Sequence, residues 1–224
     1  MHEPPEPLHE DRWLLAFDKP AGLRAVPGRG AEKADCLAAR VQARWPDALV
    51  VHRLDEATSG LMLMARGAAM QPALSALFAA RQVEKRYVAL AHGCPPAQDV
   101  DAEGWARIDL PLARDWPRRP RSKVDFAHGR PSLTLWRALP LGALPAWADG
   151  KTLCRLELRP VTGRSHQLRV HLLASGCPIA GDALYGPPDG VQDAAPRLML
   201  HAAALRLPHP GTGQELRLEC AVPF

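Results

Sequence analysis

The sequence has few cysteines, and no two of them are spaced as metal ligands. Among 224 residues there are five, and no Cys-x-x-Cys motif occurs: Cys36, Cys94, Cys154, Cys177 and Cys220. An odd number of widely separated cysteines argues against a disulfide framework and against a structural zinc site. We therefore expect a reducing, cytoplasmic location and no bound metal.

Long apolar runs are also scarce. Residues 1–6 are acidic and proline-rich, and they lack the apolar segment of a secretory signal. The longest candidate membrane segment, residues 138–148, is shorter than a membrane span and is interrupted by Pro140, Gly142 and Pro145. The sequence therefore predicts a soluble protein with no membrane partner.

Several common catalytic and nucleotide-binding motifs are incomplete. Gly150-Lys151-Thr152 lacks the earlier glycine of a phosphate-binding loop, and Gly28-Arg29-Gly30 lacks the third glycine of a dinucleotide-binding turn. His166 and His171 are five residues apart, whereas two zinc ligands on one helical face are four apart. No Gly-x-Ser-x-Gly motif occurs. These observations argue against phosphoryl transfer, dinucleotide chemistry and zinc or serine hydrolysis.

What the sequence does contain is an excess of arginine. The net charge is +4 and the isoelectric point is about 9.0, with only five lysines. Arginine suits a polyanionic partner, because its planar guanidinium pairs with phosphate. A GC-rich genome, which favours arginine codons, explains the same composition equally well.

The spacing of apolar residues predicts an α+β protein. We expect strands over residues 13–17, 61–65, 86–91, 154–159, 198–207 and 216–220. We expect three helices: one capped by Asp35 with Leu37, Val41 and Trp45 on one face, one carrying Leu74, Leu77 and Phe78, and one running from a Ser165 cap to Gly176.

These elements favour a mixed, mostly antiparallel central sheet flanked by helices and loops, rather than a doubly wound βαβ fold. Residues 154–159 alternate between apolar and charged side chains, which predicts a half-buried strand with one face in water. Residues 1–12 are expected to form a flexible lead-in, and residues 13–224 a single catalytic domain.

One acidic residue stands in a setting that suits chemistry. Asp55 follows Arg53 and precedes Thr58-Ser59-Gly60, between two apolar strand-like runs. A guanidinium near a catalytic carboxylate favours its charged form. An aspartate in a loop is more often only a turn residue, so Asp55 alone does not decide the function.

A second candidate is the basic segment of residues 114–123. It contains Trp116 and a set of cations that includes Arg118, Arg119, Arg121 and Lys123. Basic charge interleaved with an aromatic ring is typical of recognition of single-stranded and loop RNA. From composition alone, a solvated surface loop is an equal alternative.

Four sequence blocks, within a similarity that extends from about Trp13 to Phe224, resemble the RluA family of pseudouridine synthases. The first block is His52-Arg53-Leu54-Asp55 with Thr58-Ser59-Gly60, and the second is Glu84-Lys85-Arg86-Tyr87-Val88-Ala89. The third runs from Thr162-Gly163-Arg164 through Gln167-Leu168-Arg169 and Val170-His171, and it continues with Gly181-Asp182 and Tyr185-Gly186. The fourth is Leu200-His201-Ala202 with His209-Pro210.

The resemblance implies an enzyme that isomerises uridine to pseudouridine in structured RNA without a cofactor or a metal. Asp55 matches the essential aspartate, which either attacks the sugar or removes a sugar proton. Tyr87 matches the residue that stacks on the target base, and Arg169 matches the arginine that pairs with the aspartate. Without the resemblance, Tyr87 would be interpreted as a strand tyrosine packed on the core.

The resemblance also implies that the target base is flipped out of its stack, at a cost of about a few kcal/mol. Arg53 matches the side chain that fills the vacated space, and His52 precedes it as a further RNA-contact candidate. Arg164 lies near a helix start, where backbone N–H groups favour phosphate. Otherwise, Arg164 and Arg169 would form a solvated helix face.

Residues 110–120 are similar to the subgroup of this family that modifies both a 23S rRNA loop (position 746) and the tRNA anticodon stem-loop (position 32). The segment before Trp13 is short, so we expect no S4-like RNA-binding domain of the kind that other relatives carry.

The alternatives are a synthase of the same family with another tRNA or rRNA target, or a non-catalytic RNA-binding or ribosome-assembly protein. We expect a monomer that does not act on DNA. Asp18 stands where relatives often have asparagine, and residues 140–149 lengthen a loop.

Overall fold

The computed structural model describes residues 5–97, 100–144, 146–186 and 195–224. Their contacts group into two compact units, the first formed by Met1–Lys85 and His201–Val222 and the second by Arg86–Leu200 and Pro223–Phe224. Residues 1–4 of the expected lead-in, and Pro145 in the expected loop extension, lie outside the described residues. The single catalytic domain stays a prediction.

The strands and helices follow one another along the chain in irregular alternation. The strands are β1 (His9–Glu10), β2 (Leu14–Lys19), β3 (Ala48–Val50), β4 (Ser59–Arg66), β5 (Glu84–His92), β6 (Ala106–Asp109), β7 (Leu112–Arg114), β8 (Ser122–Val124), β9 (Leu133–Leu139), β10 (Leu153–Pro160), β11 (Leu200–Pro208) and β12 (Glu215–Glu219). The α-helices are α1 (Leu37–Gln42), α2 (Met70–Ala79) and α3 (Gln167–Ala174).

Strand pairing is mostly antiparallel, as predicted. In the first unit β2 pairs with β1 and β4, β3 pairs with β4, and β12 pairs with β11, all antiparallel. A parallel pair joins β4 to β11 through His201 opposite Ser59. In the second unit β10 lies antiparallel between β5 and β9, β6 pairs with β9, and β7 and β8 form a separate hairpin. The α+β class with a mixed sheet is confirmed.

Strand β4 is an unbroken apolar run because both of its faces are covered. Met62 and Met64 pack with α1 on one side, and Leu61, Leu63 and Ala65 pack with α2 on the other. All five residues are fully buried. A strand covered on both faces needs apolar residues at every position rather than at alternate ones. Burying each large side chain contributes about 1.5–3 kcal/mol, so β4 anchors the loop that precedes it.

Strand β10 departs at one residue from the wet face that its alternating sequence predicts, since Arg155 and Arg159 remain half-buried. Glu157 is only 2% exposed. Its carboxylate accepts a hydrogen bond from Arg137 Nε at 2.8 Å, and it lies 3.9 Å from Arg86 Nε. Because neighbouring strands supply two guanidinium groups, the Glu157 carboxylate is buried with its charge paired. The prediction was wrong at this residue.

The helix starts also differ from the sequence prediction. Cys36, not Asp35, caps α1, because its Sγ accepts the backbone N–H of Ala39. Asp35 instead forms an ion pair with Arg40 at 2.7 Å. This helix ends at Gln42, before Trp45, although Trp45 still packs against it in the core.

The N-cap of the third helix lies one residue after Ser165, the predicted cap. The cap position is His166, which has a left-handed backbone with φ of +56° and makes no side-chain cap hydrogen bond. Within the expected lead-in, His9–Glu10 pairs with β2. In the part of the chain that the structure describes, no helix is long and apolar enough to cross a membrane.

Candidate active site

Asp55 lies in the loop between β3 and β4, at the edge of the first unit's core. The Leu54 side chain beside it is buried, whereas Asp55 itself is half-buried. The carbonyl oxygen of Asp55 accepts the N–H of Thr58 at 3.1 Å, which closes a turn immediately before β4. The turn therefore fixes the backbone of Asp55, whose side chain is half-buried near the surface.

A buried lysine holds the same loop from the other side. Lys19 Nζ donates to the carbonyl oxygens of Leu23 at 2.7 Å, Pro20 at 2.9 Å and Glu56 at 3.1 Å. The Glu56 carbonyl also accepts the N–H of Gly22 at 2.8 Å. A fully buried lysine must have hydrogen-bond partners, and here they tie the turn after β2 to the residue following Asp55. Lys19 is not among the site residues predicted from the sequence, although a cation at the end of an apolar strand is a visible signal.

Arg53 is exposed and lines a cavity of about 310 Å³ with Arg24, Arg29 and Glu56. Arg24 Nη2 lies 3.1 Å from a carboxylate oxygen of Glu56. The cavity keeps a positive balance, since three arginines face one acidic group. Such a place suits an RNA phosphate.

His52 is packed rather than presented to solvent. Its Nε2 accepts the N–H of Leu63 at 2.8 Å, and its ring stacks on Phe78 with centroids 4.3 Å apart. Burial, with a smaller effect from the Lys85 charge, lowers the pKa of His52 to about 3. The ring is therefore neutral at physiological pH, and its contact with RNA stays a prediction.

In the second unit, Tyr87 lies on β5 opposite Leu158 of β10 and is half-buried. The strand pairing fixes its backbone, so the phenol ring is carried by a rigid element. A ring on a rigid strand can stack on a base with little loss of conformational entropy. Stacking on the target base stays a prediction.

Arg169 on α3 is 4% exposed, so the alternative of a solvated helix face is wrong for this residue. Its Nε and Nη2 each donate to the Asp182 carboxylate at 2.7 Å. The same carboxylate accepts the N–H groups of Leu184 and Tyr185 at 3.0 Å. Arg169 also lies over the Tyr185 ring, 5.0 Å from its centroid. The guanidinium is thus oriented within its own unit, and its pairing with Asp55 stays a prediction.

Arg164 lies in the turn before α3. Its N–H donates to Gln167 Oε1 at 3.0 Å, and the same oxygen accepts the Thr162 hydroxyl at 2.7 Å. Among the residues that the structure describes, Arg164 Nε is buried without a hydrogen-bond partner. A buried donor without a partner is costly, which points to an external acceptor in the functional state.

The basic segment connects β7 to β8 and exposes its aromatic residue. Trp116 is 62% exposed, and the Arg119 guanidinium lies 5.0 Å from the Trp116 ring centroid. Arg118 pairs with the buried carboxylate of Asp115 at 2.7 Å. The loop therefore presents a cation and an indole ring together, held by a salt bridge at its base.

Several of the predicted RNA-binding residues line two cavities of the second unit. One of about 740 Å³ brings Arg164 together with the hairpin residues Arg114, Trp116 and Lys123. The other, of about 560 Å³, is lined by Arg118, Arg121, Lys123, Asp182 and Tyr185. Within the second unit, Lys123 thus lines both cavities.

A carboxylate in a hydrogen-bonded loop of one unit, and cationic cavities with an exposed aromatic ring in the other, are features expected of an enzyme that modifies RNA. Residues 13–174 match the family model described as RNA pseudouridylate synthase. The chain belongs to this family, and its reaction is the isomerisation of uridine to pseudouridine in RNA.

Individual relatives are similar in sequence or structure over nearly the whole chain. The chain is 40% identical over 218 residues to the dual-specificity RNA pseudouridine synthase RluA of Escherichia coli K12, which covers 97% of this chain and 93% of the relative. The enzyme of the same name from Yersinia pestis is 42% identical, covering 97% and 98%. The structure of human RNA pseudouridylate synthase domain containing 1 has a TM-score of 0.77 at 30% identity, covering 96% of this chain and 82% of the human one. This likeness confirms the pseudouridine synthase fold.

Proposed function

We propose that Asp55 is the catalytic carboxylate and that the substrate is a uridine flipped out of a structured RNA loop. Asp55 either attacks the sugar or removes a sugar proton, while the N-glycosidic bond breaks and a C–C bond forms. Tyr87 supplies a face for the flipped base, Arg53 fills the space that the base leaves, and His52 keeps this loop in place. Arg169 supplies a fixed guanidinium for the reacting groups.

The single observation that carries the RNA proposal is the cavity of about 740 Å³, where Arg164 lies with Arg114, Trp116 and Lys123. Cations beside an exposed indole ring suit loop RNA, because phosphates pair with the cations and an unstacked base lies on the ring. The buried Arg164 Nε, which lacks a hydrogen-bond partner in the described part of the chain, would gain one from a phosphate oxygen. The second cavity adds Arg118 and Arg121 to the same surface, and Arg119 lies beside Trp116.

We further propose two RNA targets, a loop of 23S rRNA and the anticodon stem-loop of tRNA. The relatives described as dual-specificity enzymes support this proposal, since their similarity covers 97% of the chain. A synthase with another tRNA or rRNA target is the alternative.

Pseudouridine mapping in a deletion strain tests the targets. RNA from the parent and the deletion strain is treated with carbodiimide and analysed by primer extension, with a plasmid-borne copy as the control. We expect the loss of one site in 23S rRNA and one in tRNA, both restored by the plasmid. Loss only at unrelated sites would refute the dual assignment and support the alternative.

We also propose that the enzyme acts as a monomer in the cytoplasm and on RNA rather than DNA. Light scattering of the purified chain should give the mass of one copy, about 24.4 kDa. A DNA stem-loop of the same sequence should not compete with the RNA substrate. A dimeric mass, or full competition by DNA, would contradict the respective part.

A further inference from the structure

Three side chains of metal-ligating type meet in the first unit. They are Asp18 near the end of β2, His201 near the start of β11, and Cys220 directly after β12. One ligand atom from each lies within 4.8 Å of the other two. The sequence predicts no such site because its cysteines are far apart and unpaired.

The strand register brings the three together. Asp18 lies opposite Leu61 of β4, and His201 lies opposite Ser59 of the same strand. Cys220 continues the ladder on the other side of β11, since its N–H donates to the carbonyl of Ala203 at 2.8 Å. Paired backbones fix all three positions, so the cluster does not depend on a flexible loop.

The imidazole of His201 is oriented as metal-bound imidazoles are. Its Nδ1 forms a hydrogen bond with Ser59 Oγ at 2.9 Å, and both residues are buried. Histidine ligands generally hold their second ring nitrogen in such a bond, which fixes the tautomer and the ring plane. If Ser59 accepts the Nδ1 proton, Nε2 carries the lone pair that a metal ion needs.

The other two ligands differ in exposure. The Cys220 thiol is half-buried, whereas Asp18 is exposed. Binding of a metal ion by the thiolate would displace the thiol proton of Cys220 into solvent. Exposure of Asp18 leaves a path from solvent and a place for a water ligand.

We propose that Asp18, His201 and Cys220 bind a divalent transition-metal ion of the zinc class, with water as the fourth ligand. A thiolate and an imidazole with one carboxylate favour zinc over magnesium or calcium, which prefer oxygen ligands. The ion cross-links β2, β11 and the segment after β12. Ser59 connects the site to the turn that carries Asp55, so the ion stabilises that part of the first unit.

Cobalt substitution of the full-length chain tests the site. After chelator treatment and gel filtration, the protein is titrated with Co²⁺ and then with Zn²⁺. We expect one equivalent of Co²⁺ to bind with a thiolate-to-cobalt charge-transfer absorption, and Zn²⁺ to displace it. We also expect Zn²⁺ to raise the melting temperature. Absence of the absorption band in the parent protein would overturn the proposal.

Two substitutions locate the ligands. Cys220→Ser should remove the charge-transfer band and weaken Zn²⁺ binding by about tenfold or more, whereas Cys94→Ser, at an exposed cysteine of the second unit, should retain both. If Cys220→Ser does not fold, Asp18→Asn at an exposed position should still weaken binding by about tenfold. An unchanged affinity in a folded Cys220→Ser or Asp18→Asn protein would overturn the site.

Discussion

Arg169 and Asp182 form a buried ion pair that holds α3 to the segment following it. Their side chains are 4% and 0% exposed, and two hydrogen bonds of 2.7 Å join them. Removing one partner leaves an uncompensated buried charge. We therefore expect Asp182→Ala to lower the free energy of unfolding by about 3–5 kcal/mol, measured by urea denaturation.

The exposed ion pair between Arg44 and Glu6, at 2.7 Å, is the matched control. Exposed pairs contribute about 0–1 kcal/mol, so Glu6→Ala should change the unfolding midpoint little. Equal losses of unfolding free energy from the two substitutions would show that the buried pair stabilises the protein no more than the exposed pair does.

His52 should make stability depend on pH below neutrality. The pKa of His52 is about 3 in the folded protein, against an ordinary value of 6.5, because burial disfavours the charged ring. Stability from this group is complete above pH 6.5 and falls as the pH drops from 6.5 towards 3. His52→Gln, which can still accept the Leu63 N–H, should reduce this fall between pH 6.5 and 4. Urea denaturation at several pH values measures it.

The control for this series is His128→Gln, since the side chain of His128 is 85% exposed. Its pH profile should match that of the parent protein. If His52→Gln also follows the parent profile, His52 does not carry the pH dependence.

At the scale of elements, Gly60 permits the close approach of β4 and β11. Its φ is +110°, and an added Cβ would lie 2.3 Å from the carbonyl oxygen of Ala202. Backbone atoms cannot move aside as a side chain can. Gly60→Ala should therefore destabilise the protein by more than about 2 kcal/mol, the upper cost of a left-handed alanine alone.

Gly67 is the matched control, because its φ is +77° but nothing lies within 4 Å of an added Cβ. Gly67→Ala should cost about 1–2 kcal/mol from backbone conformation alone. Thermal unfolding of both variants makes the comparison. If Gly67→Ala lowers the stability as much as Gly60→Ala does, the close approach of β4 and β11 at Gly60 is not the cause of the loss.

The loop between β7 and β8 should contribute both stacking and charge to RNA binding. Trp116→Ala should weaken the free energy of RNA binding by about 1–3 kcal/mol per stacked base. The slope of log affinity against log salt concentration should stay unchanged. Arg119→Ala should reduce the dependence of log affinity on log salt by about one phosphate contact. Fluorescence titrations with a labelled RNA stem-loop at several salt concentrations separate the two effects.

Arg217→Ala serves as the control for this loop, because Arg217 is an exposed arginine on β12 of the first unit. It carries the same charge outside the proposed RNA surface. If its salt slope changes as much as that of Arg119→Ala, the loop acts only through net charge.

At the scale of the whole molecule, sequence patterns located the elements that have covered apolar faces. The apolar run of β4 and the helical spacing of Leu74, Leu77 and Phe78 in α2 are both confirmed. The family and the reaction were also predictable from the four sequence blocks, and the family model matches residues 13–174. Such features are local in sequence, and therefore visible in it.

What the sequence did not show depends on partners distant along the chain. Glu157 is buried because Arg137 pairs with it from β9. Asp182 orients Arg169 from outside the helix. Burial, with a smaller effect from Cys94, raises the pKa of the Cys154 thiol, although the positions of the two cysteines in sequence suggested no interaction. Each of these contacts follows from tertiary packing, which residue spacing alone does not encode.

Asp55 is the residue that we expect to carry out the isomerisation of uridine in RNA. The chain offers a matched control in Asp47, a loop aspartate of the same unit that forms an exposed pair with Arg66 at 3.1 Å. Forming the C–C bond releases the hydrogen on uracil C5, so tritium release from C5-labelled RNA measures turnover directly. We expect Asp55→Ala to release no tritium while binding RNA within about tenfold of the parent protein, and Asp47→Ala to keep full activity. Tritium release by Asp55→Ala at the parent rate would contradict the account.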